Sequence, residues 1–338
     1  MTNHLLLSDT RSTLNKARPA ATSTDAKPAK ELGRDRLPPY VLITPARNEA
    51  AFIQKTLDSV VAQTYRPLRW VIVNDGSTDA TASVVEPYAT KYDWIELVNM
   101  PVRQERNFAA KVHGFNAGQE RVKDLDYEVI GNLDADVLLD TDHFEFLLTK
   151  FKTDPRLGVA GTVFREEGYD SGIDSLEGQL HVSGQCQLFR RECFAGIGGY
   201  FANKAGGIDW IAVTTARMKG WKTRSYREKS FFHFRHLGTA ERSAFAAAFS
   251  YGEKDYYLGG HPLWELFRVA FRMVKRPYLV EGFALGLGYA WAAVRRTKRP
   301  ISTELMVFHR HEQIRKLATI LKSLLTFKPI DKFTIMSD

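Results

Sequence analysis

The chain has 338 residues, 44% hydrophobic and 25% charged, which is enough for a large core. Its only cysteines, Cys186 and Cys193, exclude a disulfide framework and a thiolate metal centre and read as buried free thiols of a reducing cytosol. The net charge of +8 resides in the last quarter, where His261–Asp338 holds 14 Lys and Arg against 6 Asp and Glu, so an anionic partner is expected there.

Residues 1–36 are rich in Ala, Thr, Ser, Lys and Pro without periodicity and read as a disordered tail. Leu5–Leu7 is too short for the apolar region of a signal peptide. An apolar run of strand length opens at Tyr40 and ends in Pro45-Ala46-Arg47-Asn48-Glu49. A helix follows, with Ile53, Leu57, Val60 and Val61 on one face and Asn48 as its expected N-cap. The second strand, Trp70–Asn74, runs into Asp75-Gly76-Ser77-Thr78-Asp79, and Asp79 is placed to cap the next helix. A short strand over 94–99 and a helix over 104–123 lead to a third apolar run, Val129 and Ile130, which ends in Leu133-Asp134-Ala135-Asp136. Alternation along an extended segment aims Asp134 and Asp136 the same way. Two such carboxylates suit a divalent cation carrying a diphosphate, because hard cations favour carboxylate and phosphate oxygens. Alternating strands and helices predict an open, mostly parallel sheet flanked by helices, with ligands bound at the carboxyl ends of its strands. Asp75, Asp134 and Asp136 then gather on one rim.

Beyond residue 150 the pattern changes to strands over 157–164 and 183–190 around a Gly- and Asp-rich loop at 168–178, then a helix over 208–219. The stretch Phe231-Phe232-His233-Phe234-Arg235-His236 follows, with His233 and Arg235 on one side of an extended chain and His236 on the other. These are candidates for a diphosphate contact or a metal ligand. Residues 282–294 are uncharged but, at 13 residues, shorter than the roughly 20 needed to cross a bilayer. Cations on both sides and Trp264, Tyr278, Tyr289 and Trp291 suit an element in the headgroup layer of an anionic membrane, with a helix packed on the preceding domain as the other reading. Residues 303–325 form a second basic amphipathic helix, for which core packing is an equal reading.

The ordered set Pro-Ala-Arg-Asn-Glu, Asn-Asp-Gly-Ser-Thr-Asp and Leu-Asp-Ala-Asp, from Tyr40 to about Gly238, resembles the family-2 glycosyltransferases, nucleotide-sugar enzymes of the GT-A fold. The resemblance implies an inverting, metal-dependent transfer from a nucleotide-diphospho-sugar, with UDP the usual nucleotide, to a hydroxyl of a sugar or lipid-linked acceptor in polysaccharide or glycolipid synthesis. It casts Asp75 on the base or ribose, and Pro45, Arg47 and Glu49 in a loop touching the nucleotide. Asp134 goes to the ribose or the metal's water shell, and Asp136 to Mg2+ or Mn2+, with His233 as a further ligand. Lys111 and Arg106 fall where relatives carry Ala-Arg-Asn-x-Gly, but this chain has Glu105-Arg106-Asn107-Phe108-Ala109, without the glycine. Arg106, Arg235 and His236 are the weaker diphosphate candidates. Relatives usually show Glu-Asp where this chain has Ile208-Asp209, and the retained acid is the general base, or else the cap of its helix. A base in a water-poor pocket near another negative charge should have a raised pKa.

The implied layout is a tail at 1–36, a GT-A catalytic domain at 37–240 and a helical, basic, membrane-associating region at 241–338, on the inner face of the cell membrane. No Gln-x-x-Arg-Trp motif is present, which argues against a polymerising synthase. The first turn lacks the Gly-x-Gly-x-x-Gly of a dinucleotide-binding dehydrogenase. The basic end lacks a recognition motif, so no nucleic acid is expected. The absent Glu leaves a catalytically silent, membrane-docked nucleotide-sugar-binding subunit as the alternative.

Overall fold

Three buried runs and a half-buried edge strand build one half of the sheet: β1 (Tyr40–Ala46), β2 (Arg69–Asn74) and β4 (Val129–Leu133), with β3 (Ile95–Asn99) at the edge. They pair in parallel in the order β3-β2-β1-β4, joined by α1 (Ile53–Val61), α2 (Thr81–Lys91) and α3 (Phe108–Val122). The computed structural model describes residues 36–102, 108–203, 206–235, 243–274, 278–327 and 329–335. The 1–36 tail, apart from Arg36, and the candidates Arg106 and His236 lie outside them. Because β2 and β4 flank β1 on opposite sides, the strand order reverses there, which opens a crevice at the carboxyl ends of β1 and β4.

The other half is mixed. Its elements are β5 (Val137–Leu138), α4 (His143–Thr153), β6 (Leu157–Glu166), β7 (Tyr169–Asp170), α5 (Ser171–Asp174), β8 (Cys186–Arg190), α6 (Arg191–Ile197), α7 (Ile208–Met218) and β9 (Lys222–His233). β8 runs antiparallel to β4 and β6, β9 parallel to β6, and β5 antiparallel to β9. The sheet is therefore uniformly parallel in its first half only. The Tyr40, Leu42, Trp70 and Ile72 face packs with α1 and Phe144 of α4, while the Val41, Ile43 and Val71 face packs with Phe115 of α3.

Two helix starts differ from expectation. Helix α1 begins at Ile53 with no side-chain cap. Asn48 instead adopts φ 57° and its Oδ1 accepts the Thr78 N–H at 2.8 Å, tying the β1 loop to the β2 loop. Asn tolerates that left-handed conformation. Asp79 stands two residues before α2, where it accepts the Thr81 N–H at 3.0 Å and the Ala50 N–H at 3.1 Å.

Helices α8 (Ala244–Tyr257), α9 (Pro262–Met273), α10 (Val280–Val294) and α11 (Thr303–Leu325) pack with the sheet domain as one compact unit from Leu37 on. The apolar 282–294 segment packs on α8 and α9 through glycines. A Cβ on Gly252 or Gly288 would lie 2.0 Å from the facing backbone carbonyl, Leu285 O or Phe249 O. In α11, Leu305, Gln313, Lys316 and Ile320 are buried, while Leu321 and Leu324 remain exposed. Among the described residues no helix is long and apolar enough to cross a membrane.

Candidate active site

The parallel half delivers its polar loops to one rim. Asp75 leaves β2 buried, its N–H bonded to Ala46 O at 2.8 Å, so the β1 and β2 loops lie side by side. Asn48 and Glu49 are held by Ser77 Oγ and Thr81 Oγ1, which accept their N–H groups. Helix α3 lies close on β1 because it presents glycines: a Cβ on Gly118 would stand 2.6 Å from Ile43 Cγ2, and one on Gly114 3.1 Å from Pro45 Cβ. Lys111 is one turn further toward the rim on that face and forms a salt bridge with Asp134.

Asp134 and Asp136 do not lie on an extended strand. The chain turns between β4 and β5, and Thr56 of α1 fixes the turn, its hydroxyl 2.9 Å from Ala135 O and accepting the Val137 N–H at 3.1 Å. The shared-face expectation therefore gives way to two carboxylates with different partners. Asp134 meets Lys111. Asp136 faces His233 Nε2 at 3.4 Å and Arg235 Nε at 3.7 Å. Arg235 also binds Glu49 at 2.7 Å, which joins the β1 loop to the end of β9. Burial pushes the Asp136 carboxyl up, but His233 and Arg235 outweigh it and hold it below the usual range.

His233 reaches this place because β5 pairs Val137 with it at the end of β9. Its Nδ1 lies 2.7 Å from Oε1 of Glu166, the last residue of β6, so the carboxylate fixes the tautomer and leaves Nε2 toward Asp136. Among the described residues no three His, Cys, Asp or Glu side chains form a cage for a metal. Asp136 and His233 do offer one oxygen and one nitrogen donor a few ångströms apart, with the histidine already oriented. That pair fits a cation that keeps waters and substrate phosphate oxygens for the rest of its shell.

Asp209 sits in the first turn of α7. The cap position is Gly207 (φ 76°), so Asp209 is not the cap and instead complements the helix N-terminus. Gly206 is left-handed too, and the paired glycines make the turn that aims Asp209 into the cavity. The residue in place of the relatives' Glu, Ile208, is buried. His181 Nε2 lies 4.0 Å from Asp209 Oδ2, and Gly184 backs the side chain so closely that a Cβ there would lie 2.9 Å from the Asp209 Cβ. The expected raised pKa is not found. Burial does push the carboxyl up, but His181, Lys254, the Trp210 N–H and Lys111 together hold it below the usual carboxylate range. The Coulombic fields of Asp134, Asp209 and Asp136 all act on Lys111 and, against the effect of burial, raise its pKa.

A cavity of about 1440 Å³ connects Lys111, Asp134 and His233 to Asp209 and continues to Trp264 and Phe271 on α9. Asp75, Asp136, Pro45, Arg47 and Glu49 stand outside its walls, on the rim beside it. His181, Glu166, Gly184 and Lys254 were not indicated by any motif. The nearest signals are the His181-Val182-Ser183-Gly184 stretch entering β8 and the acid closing β6.

A curled mixed sheet with a rim of loop-borne acids and an acid-bearing helix facing a deep cavity is the arrangement of the GT-A fold. Residues 41–197 match the glycosyl transferase family 2 model, so that segment is a family 2 domain; Asp209 and His233 lie beyond it. Over 165 residues the chain is 32% identical to a poly-beta-1,6-N-acetyl-D-glucosamine synthase of Staphylococcus epidermidis, a match over 49% of this chain and 35% of the synthase. The chain thus spans about a third of that relative. Among solved structures it is similar to a mannosyltransferase from Pyrobaculum calidifontis in complex with GDP-Man and Mn2+, with TM-score 0.50, 21% identity, and coverage of 86% of this chain and 82% of the other. It is also similar to residues 1–349 of S. aureus TarS in complex with UDP-GlcNAc, with TM-score 0.50, 12% identity, and coverage of 88% and 90%. At these identities the two structures speak for the fold.

Proposed function

We propose that the chain is an inverting, metal-dependent transferase that moves a sugar from a UDP-sugar to an acceptor hydroxyl in polysaccharide or glycolipid synthesis. The observation that carries this reading is Asp209, a carboxylate backed by Gly184 and opening on the cavity that also holds Lys111, Asp134 and His233. Asp75 and the loop of Pro45, Arg47 and Glu49 hold the nucleoside. Lys111 offers positive charge to the diphosphate. Asp136 and His233 hold Mg2+ or Mn2+, which supplies Lewis-acid stabilisation of the departing diphosphate when bound. Asp209 takes the acceptor proton as the acceptor oxygen bonds to the anomeric carbon and the bond to the diphosphate oxygen breaks. One displacement inverts that carbon. The lowered pKa keeps Asp209 ionised at neutral pH, and orientation rather than basicity then carries its role. The basic C-terminal helices rest on an anionic membrane at the cytoplasmic face.

The test is UDP-GlcNAc hydrolysis and transfer with Mn2+, with and without Asp209→Asn. The variant should keep the thermal shift caused by UDP-GlcNAc and lose about 10²–10⁴-fold in turnover. A fully active variant removes Asp209 as the base, and a native chain that binds UDP-GlcNAc without turning it over returns it to the role of a nucleotide-sugar-binding subunit.

A further inference from the structure

A base that has taken a proton must lose it before it can act again. Asp209 has Gly184 behind it, and in a loaded site both substrates stand in front of it. Beside it, in the loop between α5 and β8, is His181, whose Nε2 lies 4.0 Å from Asp209 Oδ2. That histidine is placed by a backbone pinned on both sides. Leu180 O accepts hydrogen bonds from Arg217 Nη1 at 2.9 Å and from Thr223 Oγ1 at 2.6 Å. Val182 is fully buried, and its O accepts Gln187 Nε2 at 2.7 Å. The His181 N–H itself donates to Gly178 O at 3.2 Å. With both neighbours anchored, the imidazole lines the cavity. Glu177, earlier in the same loop, supplies a second acid. Burial pushes its carboxyl up, but His181 first, then Lys316, Arg268 and His309, hold it down at about 2, so it remains a carboxylate. His181 thus stands between two carboxylates. Lys254 of α8, Arg268 of α9 and Lys316 of α11 face the same cavity, and their charge opposes a permanent imidazolium. An ion pair that serves only the fold closes to hydrogen-bond distance, as Arg217 and Glu312 do at 2.7 Å. His181 and Asp209 do not.

We propose that His181 is the proton acceptor that resets Asp209, acting through that carboxylate and not on the substrate. Asp209 Oδ2 takes the proton as the acceptor O–H bond breaks. The new Oδ2–H bond then breaks as the proton joins the Nε2 lone pair of neutral His181. Asp209 is a carboxylate again, and the imidazolium, flanked by Glu177, releases its Nδ1 proton to solvent through the cavity. The transfer runs downhill, because an imidazole ordinarily holds a proton about 2–3 powers of ten more tightly than a carboxylate. A separation of 4.0 Å is too long for a hydrogen bond, but catalytic contacts of this kind tighten when substrate fills the site. This rests on the transferase reading of Asp209 and adds the residue that returns it to its working state.

The test is UDP-GlcNAc hydrolysis by the full chain with Mn2+, in which water is the acceptor. His181→Ala should lower kcat about tenfold or more, while KM and the thermal shift caused by UDP-GlcNAc stay at native values. Added imidazole should restore kcat, and more so as rising pH converts imidazolium to the free base. The native rate in the same imidazole is the reference, and Asp209→Asn should gain nothing. His181→Gln, which keeps a polar side chain, should melt with the native chain. It should lose the acid limb of the kcat profile that lies above the carboxylate range, since His181 must be neutral to accept. Where His181→Ala fails to fold, the His181→Gln profile decides alone. Native kcat in His181→Ala overturns the proposal. A loss that imidazole restores at no pH overturns it too, as does an acid limb that survives in His181→Gln. Hydrolysis that needs Asp209 but not His181 sinks the proton path alone. A native chain that binds UDP-GlcNAc without hydrolysing it sinks the transferase reading and the path with it.

Discussion

The donor rim and the C-terminal helical layer both carry many charged residues, but they organise them differently. On the rim, parallel strands bring polar loops together at one edge, and the backbone supplies much of the fixing: Asn48, Asp79 and Thr56 each bind main-chain groups of a neighbouring loop. In the helical layer, Asp255, Glu265 and Arg268 are drawn from two helices into one cluster, and Glu265 Oε1 has no hydrogen-bond partner among the described residues. The rim is fixed by hydrogen bonds between its loops. The layer is held by close helix packing that carries imperfectly compensated charge.

The largest effect that separates the two regions is on the rim. Asp136→Ala should abolish Mn2+-stimulated binding of UDP-GlcNAc, and Glu166→Gln, which leaves His233 without its orienting carboxylate, should weaken Mn2+ binding about 10–100-fold. Calorimetric titration with and without EDTA checks both, and the melting temperature should stay near that of the native chain. Binding that is indifferent to EDTA in the native chain would reject Asp136 and His233 as metal ligands.

The contrast also explains what the sequence disclosed. The rim was legible because its acids sit next to the strands that place them: Asp75 directly follows β2, and Asp134 and Asp136 follow β4. Their detailed geometry was less so, since the turn after Leu133 depends on Thr56, 79 residues away in sequence from Ala135. The depressed pKa of Asp209 could not be read either, because His181 and Lys254 come from separate segments and lack motif spacing. For 282–294, composition left a membrane element and a packed helix open. The structure assigns its glycines and Leu285 to packing and Phe283, Leu287, Trp291 and Val294 to an exposed face, two faces that composition averages together.

A second prediction addresses that packing. Gly288→Ala places a methyl where only 2.0 Å separates it from Phe249 O, so α8 and α10 must move apart. Overpacking of this kind costs about 1–3 kcal/mol. Chemical denaturation should show that loss while UDP-GlcNAc hydrolysis stays near the native rate. If hydrolysis falls with stability, the donor rim and the helical layer are not separable as argued.

A third prediction concerns Glu265. Its side chain is buried on α9, Oε2 stands 3.7 Å from Arg268, and Arg268 is already engaged by Asp255. Burial first and Asp255 second push its carboxyl up to about 8, against Arg268 and Arg272. The unfolded chain releases this proton near the ordinary value of 4.5. Between the two values the unfolded state binds fewer protons than the folded one, so the group lowers stability progressively as pH rises from about 4.5 to about 8. Below that window both states are protonated and the effect vanishes. Glutamine resembles the protonated acid and does not titrate. Glu265→Gln should therefore melt with the native chain at acid pH and above it at alkaline pH, by a few degrees for a chain of this size. Thermal unfolding of both proteins across the window checks this. A native chain that melts at or above the variant at alkaline pH would mean that the cluster is fully compensated, and the distinction between rim and layer would then rest on packing alone.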